Sequence, residues 1–201
     1  MKRSGFSMIE LVFVIVILGV LAAVAVPRFV ATRTDAQVAT ARSDMASAQK
    51  AIVAKVFADN IDATSSKAPD PNKSVQSQDG NFTKDWGDWI IEVSGLDGGR
   101  WAKGGNPITA ATGLSVEQAN GIQPIGNVQT QQGGKRGGCG MILGVNTSEG
   151  ILVFAPNNIG GDNVKVEKAT NFCYSLKTSY QSSGGPGNKL IPLASTGTVE
   201  F

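Results

Sequence analysis

The chain contains no histidine. That absence removes the Ser-His-Asp and Cys-His catalytic arrangements and every histidine-based zinc site. Cysteine is nearly absent as well. Cys139 and Cys173 are the only two, too few for a thiolate zinc site. They suit one disulfide in a domain held outside the cytosol, or two buried free thiols in a domain held inside it. Charge is sparse and balanced. Charged residues make up 17% of the chain, with 18 Lys/Arg against 16 Asp/Glu, and Lys2 and Arg3 account for the whole excess. Such a chain lacks the basic footprint of a general nucleic-acid binder, so no nucleic-acid partner is expected. Gly134-Lys135 is followed by Arg136 instead of Ser or Thr, which does not fit a phosphate loop. No paired nucleophile and base, metal cluster or cofactor loop is found. Neither an enzyme nor a cofactor is expected.

What the chain does have is one long apolar run, Phe6 to Val26, whose single charged residue is Glu10. As a helix it would be roughly 31 Å long, the thickness of a bilayer's hydrocarbon core. Its apolar residues occupy every face, so it needs burial all round, in lipid or among other helices. A carboxylate at the centre of such a segment costs about 2.5–3.5 kcal/mol, less near an end. Something must offset that cost. Lys2 and Arg3 precede the run and favour a cytoplasmic N-terminus. Cleavage after Gly5 would leave Phe6 with an ammonium group at position i relative to Glu10 at i+4, where the two charges can pair on one face. The carboxylate can equally pair with the amine of a neighbouring copy. Two plainer readings remain. In one, Ala23-Val24-Ala25 is the cleavage site of an ordinary signal peptide. In the other, the run is an uncut membrane anchor. Both leave Glu10 without a partner.

Past the run the pattern changes. Val38, Ala41, Met45, Ala48, Ile52 and Val56 recur at steps of three and four, predicting an amphipathic helix to about Ile61. Arg33, Asp35, Arg42, Asp44, Lys50, Lys55 and Asp59 lie on its other faces, as a solvated surface or as contacts between subunits. A polar loop follows over 62–81. Trp86, Trp89 and Trp101 read as core, with a strand over Trp89–Val93 and a turn at Asp97-Gly98. Residues 104–127 read as a connection holding a short capped helix near Ser115–Gln118. A Gly-rich loop covers 131–140. Met141–Val145 and Ile151–Ala155 read as a hairpin, and Val164–Val166 as a further strand. Phe172, Leu176 and Tyr180 fit a helical step, 182–188 a loop, and 189–201 a last strand or two. One long helix followed by a mostly antiparallel sheet is an α+β arrangement.

Gly5-Phe6-Ser7-Met8-Ile9-Glu10-Leu11, the apolar run with Gly19, and Ala22-Ala23-Val24-Ala25-Val26-Pro27 together resemble the N-terminus of type IV pilins and type II secretion pseudopilins. The resemblance covers about Lys2 to Arg28. It implies a leader at 1–5, an assembly and membrane helix at 6–27, and a periplasmic or extracellular pilin-like domain at 28–201. It implies cleavage between Gly5 and Phe6 by a prepilin peptidase, N-methylation of Phe6, and an assembly role for Glu10. It also implies breaks in the helix near Gly19 and Pro27. The fold it implies is a long helix whose second half packs on an antiparallel sheet, with Cys139 and Cys173 tying the C-terminal region to that sheet. The partners would be other pilin-like subunits, the peptidase, an inner-membrane assembly platform and, before assembly, lipid. The same N-terminus serves a pilus subunit, a type II secretion pseudopilin and a minor or tip subunit with an adhesive or DNA-binding role. Some pseudopilins bind calcium in C-terminal loops, and Asp162 is the one residue here to inspect for it. One carboxylate falls well short of the six to eight oxygens calcium takes.

Overall fold

The computed structural model describes residues 7–71, 82–109, 115–129, 136–160, 172–181 and 188–193, with backbone alone at 24–32, 82, 109, 127–129, 136 and 137. The leader 1–5, the proposed strand at 164–166 and Asp162 lie outside these residues.

One helix, α1, runs from Met8 to Ala58 without interruption. At about 1.5 Å per residue it is roughly 76 Å long. Helical backbone continues through Gly19 and Pro27, so the expected break is not present in this chain on its own. The reason is local. A proline deletes one backbone hydrogen bond, and a glycine costs about 1 kcal/mol relative to alanine, while the turns on either side remain intact. The predicted stripe is buried as expected: Val38, Ala41, Met45, Ala48, Ile52 and Val56 are all 8% exposed or less. Burying each of its larger members is worth about 1.5–3 kcal/mol. Asp59 ends the helix with its backbone N–H on the Lys55 carbonyl, and Asn60 turns the chain at a positive φ of 50°.

The stripe shares one core with two short helices and a sheet. Strands β1 (Ala68–Pro69) and β2 (Phe82–Lys84) form a small antiparallel pair before α2, Trp86–Val93. The expected strand at Trp89–Val93 is therefore a helix. Trp86, Trp89 and Ile90 sit at i, i+3 and i+4 and are fully buried, which requires helical spacing. Trp86 and Trp89 meet edge to face, 5.3 Å between centroids. The main sheet contains β3 (Trp101–Lys103), β6 (Gly121–Gln129), β7 (Arg136–Gly138), β8 (Leu143–Asn146), β9 (Ile151–Phe154) and β10 (Lys189–Pro192). Its order is β10-β9-β8-β6-β3, all antiparallel, with β7 pairing the far end of β6. A separate pair, β4 (Ile108–Thr109) and β5 (Ser115–Val116), lies between β3 and β6 in sequence.

The expected hairpin is β8–β9, in register from Leu143↔Phe154 to Asn146↔Ile151. Asn146 closes it by accepting the Glu149 N–H. Two further expectations are corrected. The capped helix near Ser115 is instead strand β5 followed by one 3-10 turn at Gln118–Asn120, and the supposed connection to residue 127 contains β6, the longest strand. Pro124 removes one ladder donor from β6, while its carbonyl still accepts the Cys139 N–H. Between β7 and β8, Gly140 has φ 102°, and a Cβ there would stand 2.7 Å from the Asn158 carbonyl oxygen. Only glycine fits that corner.

Helix α3, Phe172–Gln181, buries Cys173, Leu176 and Tyr180, realising the predicted step. A Cys139–Cys173 disulfide, with a Cα–Cα distance of 5.3 Å, staples it to the sheet. Closing a loop with a sequence separation of 34 is worth about 3–4 kcal/mol in the chain-entropy model. Replacing both cysteines by alanine should lower the unfolding free energy of the domain by about that amount, read from denaturant midpoints of protein extracted from the membrane. Unchanged midpoints would remove the staple from the account.

Candidate assembly site

The part of α1 that precedes the domain touches nothing else among the described residues. From Met8 to Leu21 its large apolar side chains are 42% to 89% exposed, while residues 38–56 of the same helix are inserted in the core. Monomeric soluble proteins rarely leave so large a contiguous apolar surface in water. Among the described residues no helix is long and apolar enough to cross a membrane. Within the apolar run side chains are described over 7–23, short of the about 20 residues a span needs, with backbone alone over 24–26 and Phe6 outside the described residues.

Glu10 sits in the first turn of this helix. Its Oε2 accepts the backbone N–H of Ser7 at 2.8 Å, and the Ser7 hydroxyl accepts the Ile9 N–H at 3.3 Å. Ser7 is the N-cap and Glu10 is three residues into the helix, so the two form a reciprocal capping box. The signature Ser-x-x-Glu is plain in the sequence, yet Glu10 draws attention there as a charge. The negative carboxylate also lies at the positive end of the helix dipole. Both effects make the acid cheaper to hold, and neither neutralises it. Gly5 and Phe6, the expected cleavage junction, lie outside the described residues.

The charges of α1 divide into two groups. Four of them are spent within the domain. Arg42 lies 5.1 Å from the Tyr180 ring centroid and donates to the Ser179 carbonyl at 2.9 Å. Burial pushes the Tyr180 hydroxyl up to about 12, an effect that Arg42 opposes. Asp44 accepts the Trp101 indole N–H at 2.9 Å and lies 3.5 Å from Arg100. Lys55 pairs with Asp59 at 2.7 Å. Arg33, Asp35 and Lys50 are exposed and make no ion pair or hydrogen bond among the described residues. Arg33 stands at one end of a groove of about 450 Å³ beside α1, walled by Ala36, Gln37, Thr40, Trp101, Ile125 and Phe172.

Asp85 is gripped by two lysines. Lys103 reaches it at 2.7 Å and Asp88 at 2.6 Å, and Lys67 also binds it. These hydrogen bonds, Lys103's first, hold the Asp85 carboxyl below its ordinary value. Lys84 pairs with Glu92 nearby. The network pins the start of α2 to β3 and to the loop before β1. Among the described residues no group of three or more metal-binding side chains converges, and Asp162 lies outside them.

Residues 1–26 match the family model of the prokaryotic N-terminal methylation motif, which is the type IV pilin and pseudopilin signature. No curated protein and no solved structure matches the chain.

The Asp85 network carries a pH dependence of known sign. A lowered carboxyl pKa contributes stability that is present above the ordinary carboxyl value of 3.8 and lost as pH falls through the folded one. Asp85→Asn should therefore be less stable than the parent near neutrality and should lose less stability on acidification below about pH 4. Parallel thermal melts that keep a constant gap down to pH 2 would refute the linkage.

Proposed function

We propose that this protein is a structural, non-catalytic subunit of a type IV pilin-like filament. The observation that carries the reading is the methylation motif at 1–26, which runs into a helix whose apolar residues are exposed and have no partner among the described residues. In this reading the chain enters the inner membrane with its basic leader inside and residues 28–201 outside. A prepilin peptidase removes 1–5, and the Phe6 nitrogen is methylated. A methylated amine keeps its charge and remains a partner for Glu10.

The physics of assembly follows from two costs. The apolar half of α1 cannot stay in water, so it passes from lipid contacts to contacts with other α1 helices. Glu10 cannot be buried alone, because an unpaired carboxylate in a low-dielectric core costs several kcal/mol. Placing it against the terminal amine of an adjacent subunit offsets that cost and selects one axial position. The domain, held rigid by its core and by the Cys139–Cys173 bridge, then forms the outer surface. Secretion through the oxidising periplasm suits that bridge. A type II secretion pseudopilin uses the same helix in the same way and differs in the machine it serves.

Two measurements test the reading. Mass spectrometry of the exported protein should find a mature chain starting at methylated Phe6; a start at Val26 would make the run an ordinary signal peptide. Glu10→Val should insert in the membrane as before yet lower filament yield by tenfold or more on electron micrographs. Normal filaments from that variant would remove the charge-pairing argument.

A further inference from the structure

The terminal amine accounts for one cation near Glu10, and the structure points to a second. This inference rests on the filament reading above. Of the α1 charges described, Arg33 and Lys50 are the cations with no ion pair or hydrogen bond among the described residues. Arg33 alone of the two lines the groove beside α1. Its neighbours along the helix in that groove are Ala36, Gln37, Thr40, Ala41 and Asp44, and the opposite wall supplies Trp101, Pro124, Ile125 and Phe172 together with Arg100, which is already engaged by Asp44 and Asp97. The groove therefore has one largely polar wall, from α1, and one largely apolar wall, with the Arg33 guanidinium at one end.

The exposed half of α1 carries a pattern that complements the Arg33 charge and the apolar wall. Glu10, Val14, Ile17, Leu18 and Leu21 follow steps of three and four and form one face: a carboxylate and then four apolar side chains. The spacing of the two series is the same. Glu10, Val14, Ile17, Leu18 and Leu21 come level with Arg33, Gln37, Thr40, Ala41 and Asp44 when one helix is slid past another by about 35 Å, at 1.5 Å per residue. The final pair sets Leu21 beside Asp44, whose carboxylate is already engaged by Trp101 and Arg100.

The angular relation fits as well. At 3.6 residues per turn, Glu10 and Arg33 point about 140° apart around a straight helix. A helix that offers its Glu10 face to one neighbour therefore keeps its Arg33 face free for another. Contacts of that kind are head-to-tail and repeat without closing, which is the geometry of an open filament.

We propose that the groove lined by Arg33 is the docking site for the Glu10–Leu21 segment of a second copy, with Arg33 binding the Glu10 carboxylate across the interface. Glu10 has the capacity for it. One oxygen takes the Ser7 N–H, leaving the other for a cation. The apolar face meets the apolar wall of the groove, and the guanidinium fixes the register.

Cysteine cross-linking reads the register directly, because the chain's own cysteines are already joined. The full chain carrying Val14→Cys with Gln37→Cys is assembled into filaments and oxidised. A ladder of covalent multimers should appear on non-reducing gels, at least tenfold stronger than from Val14→Cys with Lys50→Cys. Normal filaments that yield no ladder, or equal ladders, would overturn the register. A second variant guards against loss of assembly by the cysteines themselves. Arg33→Glu should lower filament yield at least tenfold and Lys50→Glu should not; equal effects of the two would overturn the proposal. Absence of filaments from the parent chain would instead remove the filament reading on which the register stands.

Discussion

A single acidic side chain in an uncovered apolar helix is the constraint on which everything else turns. Over 8–21 the helix exposes large apolar residues on all sides, and Glu10 is the only charge among them. Neither water nor lipid suits both parts. Water leaves the apolar surface exposed, and lipid leaves the carboxylate unneutralised. Ser7 reduces the second problem by building Glu10 into a capping box, so the carboxylate is already aimed at the helix's N-terminal end. What remains is a need for a positive group in an apolar setting. In the proposed filament, a bundle of like helices with charged termini and exposed Arg33 side chains would provide one.

The rest of the molecule is built to hold one half of that helix still. Six residues of the α1 stripe enter the same core as Trp86, Trp89 and Trp101. Arg42 ties the helix to α3 through Tyr180 and Ser179, and Asp44 ties it to β3 through the Trp101 indole. The disulfide then fixes α3 to the sheet. A helix of about 76 Å anchored over its second half is a stiff post, so a force applied to the free half is borne by the whole domain.

Much of this was legible beforehand. The α1 stripe was readable because its 3.6-residue period persists for many turns with alanines between the large residues. The β8–β9 hairpin was readable because a polar turn separates two β-branched runs. The cysteine pair was readable as one of two outcomes, and the bridge is the one formed. Helix α2 was misread because Trp-Ile-Ile-Glu-Val is too short for period to separate strand from helix, and burial of Trp86 together with Ile90 decided it. Strand β6 was missed because Gly121, Pro124 and Gly126 look like punctuation, whereas close packing against Met141 at Gly121 needs a residue without a side chain. The α1 charges could not be sorted at all from sequence. Which of them are spent inside depends on contacts with residues far along the chain, such as Ser179 and Arg100.

The central claim is that the Glu10 carboxylate is neutralised by a cation belonging to another copy. A filament reconstruction at side-chain resolution tests it most directly. The account predicts a core of α1 helices in which each Glu10 carboxylate lies within about 4 Å of a positive group of a neighbouring subunit. A core in which Glu10 faces a water-filled lumen, or meets no cation, would contradict it.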